Sequence, residues 1–507
     1  MKKILMTLAA VLCCAMTTTV LTACTSDNSD NPTPVNPTKE LVDYTVIFYG
    51  HGGTNLDQAI WDNIEQFFLA DAESFKKVNV VGMYKFSTEE NMAEYDMPEQ
   101  YAENLGGKTY RFVVNSKVER ENAWLDPDNI YGGDNCYITH PDSLTNFINW
   151  AAKICPAKNY VLILSDHGGS YMPHDDLPYQ PATRGVIYDD GHNLDNFSVM
   201  SLTSALRAAS IRPQVIYMDA CLMNTVEYQF ELKDLCDYYV ASTFAVPGMG
   251  GDYTTLINSL ATTDDIEKAL TDLVNSDIAR WGSKELNGYE TTPIFTDQTV
   301  TRTAKLNDFG IAMKTFTDKL IEVYQSGDEA AVGAIDDCTQ YAFKVEEQRP
   351  SYDLIDYVNE ICDTLPNLFT AALKARVNDA FQACVVKAGC SETLASYDLD
   401  VEMSVLIGFD NCYVINDQIT GKQGEIADVI IYFYADGRII TLSPAYPDYK
   451  EESTWGSTFD ATYKQLAFDK VVGWSRWIEL NKQMPCQNSP VEWSADFFND
   501  VMNSIQE

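Results

Sequence analysis

Two short segments carry the residue types that nucleophilic chemistry needs. The first is Tyr160-Val161-Leu162-Ile163-Leu164-Ser165-Asp166-His167-Gly168-Gly169, an apolar run ending in an imidazole followed by glycine. The second is Val215-Ile216-Tyr217-Met218-Asp219-Ala220-Cys221-Leu222-Met223, which ends in a thiol. Both apolar runs read as core strands, and open parallel sheets place their active sites at the carboxyl ends of such strands. A histidine after one strand and a cysteine after the next can meet in space, so His167 can take or hold the Cys221 proton. An isolated thiol has a pKa of roughly 8.5, which a nearby imidazolium or helix amino terminus lowers. Cys221 has both candidates, because a helical pattern begins near Asn224. Gly168 has no side chain, so its N–H can approach a substrate carbonyl and join the Cys221 N–H in holding an oxyanion. Singly, Cys221 reads as one more small buried residue and His167 as a turn residue. Their joint placement points to chemistry.

The remaining candidates are weaker. His51, His140, His174 and His192 lie in glycine, proline or acidic loops with no His-Glu-x-x-His pattern, so no metal centre is expected. The paired acids Asp175-Asp176 and Asp189-Asp190 could serve glycoside cleavage only if they faced each other across a sugar. Neighbours on one loop read instead as solvating residues or cation ligands. No Gly-Lys-Ser/Thr follows Gly50 to Gly53, which excludes a phosphate loop. Of the thirteen cysteines none forms a C-x-x-C pair, so a structural zinc site is not expected. No cofactor is implied.

Elements to position these residues are legible. Tyr44 to Tyr49 is a β-rich run ended by Gly50-His51-Gly52-Gly53, with an amphipathic helical pattern through Ile60, Ile64, Phe67 and Phe68. Further apolar runs stand at Val78 to Tyr84, Tyr110 to Val114, Tyr160 to Ser165, Val215 to Asp219 and Tyr238 to Ser242. Helical patterns at Leu144 to Ile154, Leu202 to Ala209 and Thr225 to Leu232 separate the later ones. Alternating strands and helices predict an α/β fold, a mostly parallel sheet with helices on both faces. After about Tyr253 long helical patterns take over (Asp265 to Ile278, Leu306 to Tyr324, Leu354 to Leu365, Leu368 to Ala388). The runs Val429 to Tyr434 and Ile439 to Leu442 flank Ala435-Asp436-Gly437-Arg438 and read as a hairpin. Val401 to Ile407 and Cys412 to Ile415 would extend the same antiparallel sheet. The expected organisation is a leader over 1–23, a tether over 24–42, a catalytic core over 43–253 and a helical and antiparallel C-terminal α+β region over 254–507.

The leader has two lysines, an apolar stretch from Ile4 to about Val20, and then Leu21-Thr22-Ala23-Cys24. That tetrad resembles the bacterial lipobox, so Cys24 is expected to carry a lipid. The polar, proline-bearing stretch from Thr25 to Glu40 would hold the folded part off the membrane. Ser26-Asp27 and Asp30 resemble the export tags of surface lipoproteins, which implies the outer membrane or cell surface. With 35 basic and 74 acidic residues the net charge is −39, and it becomes 33 − 74 = −41 once Lys2 and Lys3 leave with the leader. Such a surface repels nucleic acid and attracts basic polypeptides.

The segments Asp166-His167-Gly168-Gly169 and Asp219-Ala220-Cys221-Leu222-Met223, the latter leading to Glu227, resemble the clostripain family of cysteine peptidases. The opening Tyr44 to Asp57, the Asp142 to Phe147 and Asp353 to Tyr357 pieces, and Tyr463 to Phe468 with Gly473-Trp474-Ser475 are also similar. The resemblance implies a caspase-like fold and an endopeptidase whose substrates are proteins or peptides. It implies a thioester on Cys221, and a pocket acid at Asp219 that selects Arg or Lys before the scissile bond. A carboxylate is a sensible partner for a guanidinium or ammonium, though a strand-end acid also reads as a turn or cap residue. The family's second acid, after the next strand, has no clear equivalent in Ser242 to Asp252, and Asp252 is its candidate. Some members are cut between His and Cys, and here Arg184 lies in the more loop-like part of that stretch. A peptidase-like lipoprotein that binds without cutting is the first alternative, and a glycan-binding or glycan-hydrolysing lipoprotein the second.

Overall fold

The computed structural model describes residues 41–95, 97–114, 123–132, 136–169, 185–282, 296–341, 344–346, 349–392, 404–406, 412–417, 429–434, 438–443, 446–454 and 463–481. The leader, Cys24, nearly all of the tether and Arg184 lie outside them. Twelve strands build or flank the core: β1 (Val42–His51), β2 (Val78–Lys85), β3 (Thr109–Val114), β4 (Ala157–Ser165), β5 (Val186–Asp189), β6 (Asp195–Phe197), β7 (Val215–Asp219), β8 (Tyr238–Ala241), β9 (Asp297–Arg302), β10 (Lys344–Glu346), β11 (Arg349–Asp353) and β12 (Val385–Cys390).

Eight of them form one sheet in the order β12-β9-β8-β7-β4-β1-β2-β3. The five central strands run parallel, and both edges are closed by antiparallel pairs. Alternate side chains serve opposite faces, as the pleat requires. Val46 and Phe48 join Val161, Ile163 and Val215 in one buried cluster with the helices Asp57–Gln66, Tyr253–Thr262 and Ile266–Trp281. Ile47 and Tyr49 join Leu162, Leu164 and Ile216 in the other, with the helices Pro141–Ile154, Val199–Ala208, Val226–Leu232 and Leu306–Gln325. Because both faces are covered, the central strands are apolar throughout, which is why they stand out in the sequence.

The structure departs from the expected elements in places. Tyr110 to Val114 pairs antiparallel to β2 as an edge strand. The helix expected through Ala388 ends at Cys384, and Val385–Cys390 pairs with β9. The β-branched Val385-Val386 pair favours that pleated edge over another helical turn. Two strands of the central sheet, β9 and β12, thus lie beyond the boundary expected at residue 253. The four-stranded antiparallel sheet is Cys412–Asp417, Val429–Tyr434, Arg438–Ser443 and Tyr446–Thr454. The hairpin pairing of its middle strands is present (Ile430 opposite Leu442), whereas Ser404–Leu406 pairs with β11 in a separate sheet. Among the described residues no helix is long and apolar enough to cross a membrane.

A buried ion cluster ties three strand ends together. His51 Nε2 lies 3.1 Å from Asp190 Oδ1 and 3.9 Å from Asp189 Oδ1. The Lys85 ammonium pairs with Asp189 Oδ1, and His192 Nδ1 sits 3.0 Å from Asp189 Oδ2. His51 Nδ1 donates to the Lys85 carbonyl at 2.7 Å. Residues expected in solvated loops are therefore core residues at the ends of β1, β2 and β5. Burial alone would push the His51 imidazole down, but the Asp190 hydrogen bond and the Asp189 and Asp166 charges raise it to about 9.

His51 binds its proton more tightly folded than unfolded, where the ordinary pKa is about 6.5. Its contribution to stability is thus fully present below that value and is lost as pH rises through about 9. The melting temperature should fall across this window, with a shallower slope in His51→Gln. An equal slope in both proteins, measured by thermal unfolding at matched ionic strength, would contradict the assignment.

Candidate active site

Register brings three turns side by side. Gly50 is opposite Ser165, and Ser165 is opposite Asp219, so β1, β4 and β7 end level with one another. Beyond them lie Gly52-Gly53, Asp166-His167-Gly168 and Ala220-Cys221. Asp166 and His167 after β4 and Ala220 and Cys221 after β7 wall a cleft of about 200 Å³, which they share with Asp219, Asn63, Val246 and Gly250.

The turns touch through glycine. A Cβ on Gly168 would lie 2.1 Å from the Cys221 carbonyl oxygen and 3.0 Å from the Cys221 nitrogen, so no larger residue permits this approach. On the other side Gly53 holds a φ of +52°, and a Cβ there would meet Asp166 Oδ1 at 1.9 Å and His167 Cδ2 at 2.8 Å. Gly168 bridges to Val186 of β5, and the flanking bonds run from Gly169 N–H to the Gly185 carbonyl and from Ile187 N–H to the His167 carbonyl. Neither flanking bond uses the Gly168 N–H.

Each side chain has an identifiable support. His167 Nε2 lies 2.7 Å from Asn55 Oδ1, in the turn after β1. With that oxygen accepting, Nε2 carries the hydrogen and the Nδ1 lone pair is left to take a proton. Burial, with help from the positive His51, holds the His167 imidazole below its usual 6.5 despite a backbone bond at Gly53, which favours the neutral ring near neutral pH. Asp166 fixes the turn, accepting from His167 N–H at 2.5 Å and Tyr188 N–H at 2.8 Å.

Cys221 Sγ accepts from Val246 N–H at 3.3 Å and faces the Val246 carbonyl at 3.7 Å. The same residue can thus bond the thiol through its carbonyl and a thiolate through its N–H. Leu222, at φ +63°, turns the chain sharply after Cys221, and its N–H reaches the Phe244 carbonyl at 3.0 Å. Asp297 at the start of β9 accepts from Thr243 N–H at 3.1 Å and Phe244 N–H at 2.8 Å, so the segment that carries Val246 hangs from β9. The helix after Cys221 begins only at Val226, capped by Thr225.

Asp219 is 5% exposed. Its Oδ2 accepts from Gly251 N–H at 3.2 Å and from the Tyr253 hydroxyl. Burial pushes its carboxyl above the usual range, against the pull of those two bonds and of Arg280. Asp252 is not at the cleft. Its carboxylate caps the helix Tyr253–Thr262, taking Thr255 N–H at 2.9 Å, Thr255 Oγ1 at 2.8 Å and Ser276 Oγ at 2.5 Å. Asn55 and Val246 are the partners that sequence reasoning missed. The signal for Asn55 was an amide just after the strand that must neighbour the histidine strand. Val246 acts through its backbone and leaves no signal. His51, Asp189 and Asp190 have ligand atoms within 4.8 Å of one another, but Lys85 and His51 already balance the two carboxylates, so the group fits an added cation poorly.

The sequence profile of the clostripain family matches residues 135–478, a span that includes both His167 and Cys221. No curated protein matches the chain. Among solved structures, a secreted C11 cysteine protease from Bacteroides thetaiotaomicron described as iotapain aligns with a TM-score of 0.53 at 16% identity, over 86% of this chain and 100% of its own. A secreted C11 cysteine protease from the same organism, in complex with an irreversible peptide inhibitor, gives 0.50 at 14% identity, over 86% and 99%. An inactive zymogen C11 protease from Parabacteroides distasonis gives 0.50 at 15%, over the same shares. At these identities the structures bear on the fold alone, and they share the caspase-like sheet. The profile covers well over half of the sequence, and on that match the chain belongs to the clostripain family of cysteine peptidases.

Proposed function

We propose that the chain is an endopeptidase that cuts after Arg or Lys, with Cys221 as nucleophile and His167 as its acid and base. The observation that carries this reading is the shared cleft: a thiol, a neutral imidazole and a buried carboxylate open onto one cavity. Cys221 attacks the scissile carbonyl carbon, and the oxygen that becomes negative is held by the N–H groups of Gly168 and Cys221. His167 gives the proton it took from the thiol to the leaving amine, and a thioester remains. Water then attacks the thioester, His167 accepts its proton and returns it to sulfur, and the new carboxyl end departs. Asn55 keeps the ring oriented with the Nε2 hydrogen outward. Asp219 receives the basic side chain. Asp252, engaged as a helix cap, is a poor second acid.

The amino terminus adds a location to this reading. Cys24 carries a lipid, and the tether presents the peptidase at the outer membrane or cell surface. Arg184 is the site at which the active enzyme cuts its own chain.

On fluorogenic peptides with Arg, Lys, Asp, Asn or Leu before the scissile bond, Cys221→Ala and His167→Ala should each abolish turnover while folding normally. Nucleophile and base act as one unit, so either loss alone removes nearly all the rate. The wild type should split at Arg184 and Cys221→Ala should stay whole. A folded variant with near-wild-type rate would sink the dyad, and a Cys221→Ala chain cut at Arg184 would sink self-processing.

Asp219→Asn should lower kcat/KM for Arg and Lys peptides by tens-fold or more, since truncating a desolvated charge pair costs about 2–5 kcal/mol. The rate on Leu peptides should change far less. A uniform loss across all peptides would make Asp219 a structural support of the Cys221 turn instead.

Expressed in a Gram-negative host fed a labelled fatty acid, the full chain should take up label and partition with membranes. Cys24→Ala should do neither. Label retained by Cys24→Ala would refute the anchor.

A further inference from the structure

The acid at the floor of the cleft has one oxygen left to offer. Asp219 Oδ2 already accepts from Gly251 N–H and the Tyr253 hydroxyl, while Oδ1 is buried and has no hydrogen-bond partner among the described residues. The other acid lining the cleft, Asp166, holds His167 N–H with one oxygen and Tyr188 N–H with the other. Asn63, also in the lining, accepts at its Oδ1 from Gln66 Nε2 at 3.0 Å. Asp252 is occupied by Thr255 and Ser276. A cation that reaches this floor therefore meets, among the described lining acids, one carboxylate oxygen that carries no hydrogen bond, Asp219 Oδ1.

Guanidinium and ammonium groups differ in what they make of that. A guanidinium is a rigid planar fork whose strongest contact uses both oxygens of a carboxylate at once. An ammonium is a compact point charge whose three donors turn to suit the acceptors present. Against Asp219 the fork finds its second oxygen taken, and a donor is left unpaired in a desolvated pocket. We propose that this cleft selects lysine over arginine before the scissile bond, with the Tyr253 hydroxyl as the group that sets the choice. The inference rests on the reading of Asp219 as the pocket acid. Tyr253 is well placed for the role: its ring stacks on Phe67 at 4.7 Å between centroids and meets Phe48 edge-on at 5.9 Å, so the hydroxyl cannot swing away from Oδ2.

The test compares kcat/KM for peptides that differ only in Lys, Arg or norleucine before the scissile bond, on the wild type and on Tyr253→Phe. The wild type should prefer Lys over Arg by about fivefold or more, the factor that one unmet buried hydrogen bond represents. Tyr253→Phe, which leaves Gly251 N–H as the remaining donor to Oδ2, should shift the Lys-to-Arg ratio towards Arg by a similar factor. Arg cleaved as well as Lys by the wild type overturns the inference and leaves Asp219 as the pocket acid. Norleucine cleaved as well as both overturns the Asp219 reading itself. A Lys preference that Tyr253→Phe leaves unmoved removes Tyr253 as its cause. Should that variant not fold, the wild-type ratio alone decides.

Discussion

Everything at this site depends on how closely two backbone turns can approach. With β4 and β7 in register, the chain leaving each strand has to turn at the same level, and the His167 turn lies against the Cys221 peptide. Only an unsubstituted α-carbon fits at Gly168. That contact fixes the separation of the two strand ends. The remaining supports then act on side-chain orientation: Asn55 on the imidazole, Val246 on the sulfur, Asp166 on the turn between β4 and β5.

The sheet alone does not complete the site. The helix Val226–Leu232, next after Cys221, is buried along its whole length and carries two acids on which a distant segment rests. Glu227 accepts from the Tyr463 hydroxyl at 2.9 Å, and Glu231 accepts from Ala467 N–H at 2.6 Å. Buried carboxylates are tolerated only when such donors meet them. The C-terminal residues therefore brace the helix that follows Cys221. Together with Asp297 of β9, they give a physical reason for a family profile that runs to residue 478 and does not stop with the strands that bear His167 and Cys221.

What the sequence made legible follows from which forces act locally. The core strands could be read because burial on both faces demands uninterrupted apolar runs, and the ends of those runs located His167 and Cys221 without any view of their contact. Strand direction at the edges has no local code, so β3 was not separable from the parallel set. The helix expected to reach Ala388 shows tertiary pairing overriding periodicity, since β9 offered Val385–Cys390 an open edge. His51, Asp189 and Asp190 were read as loop residues because a buried ion cluster is assembled from positions far apart in the chain. Asp252 looked like a pocket acid by its position after β8. The Thr255 that follows it marks a helix cap as well, and the cap is what formed.

The central claim is that Cys221, alone among the chain's thiols, is activated by His167. It is tested most directly by treating the protein with a lysine-based affinity label, such as a peptidyl epoxide, and mapping the adduct by mass spectrometry. Cys155, Cys236, Cys338, Cys362 and Cys384 are buried free thiols and serve as internal controls, with Cys390, half-buried, as the most exposed of them. The account predicts one adduct per chain, on Cys221, lost in His167→Ala. An adduct on another cysteine, or labelling of Cys221 at an equal rate without His167, would contradict it.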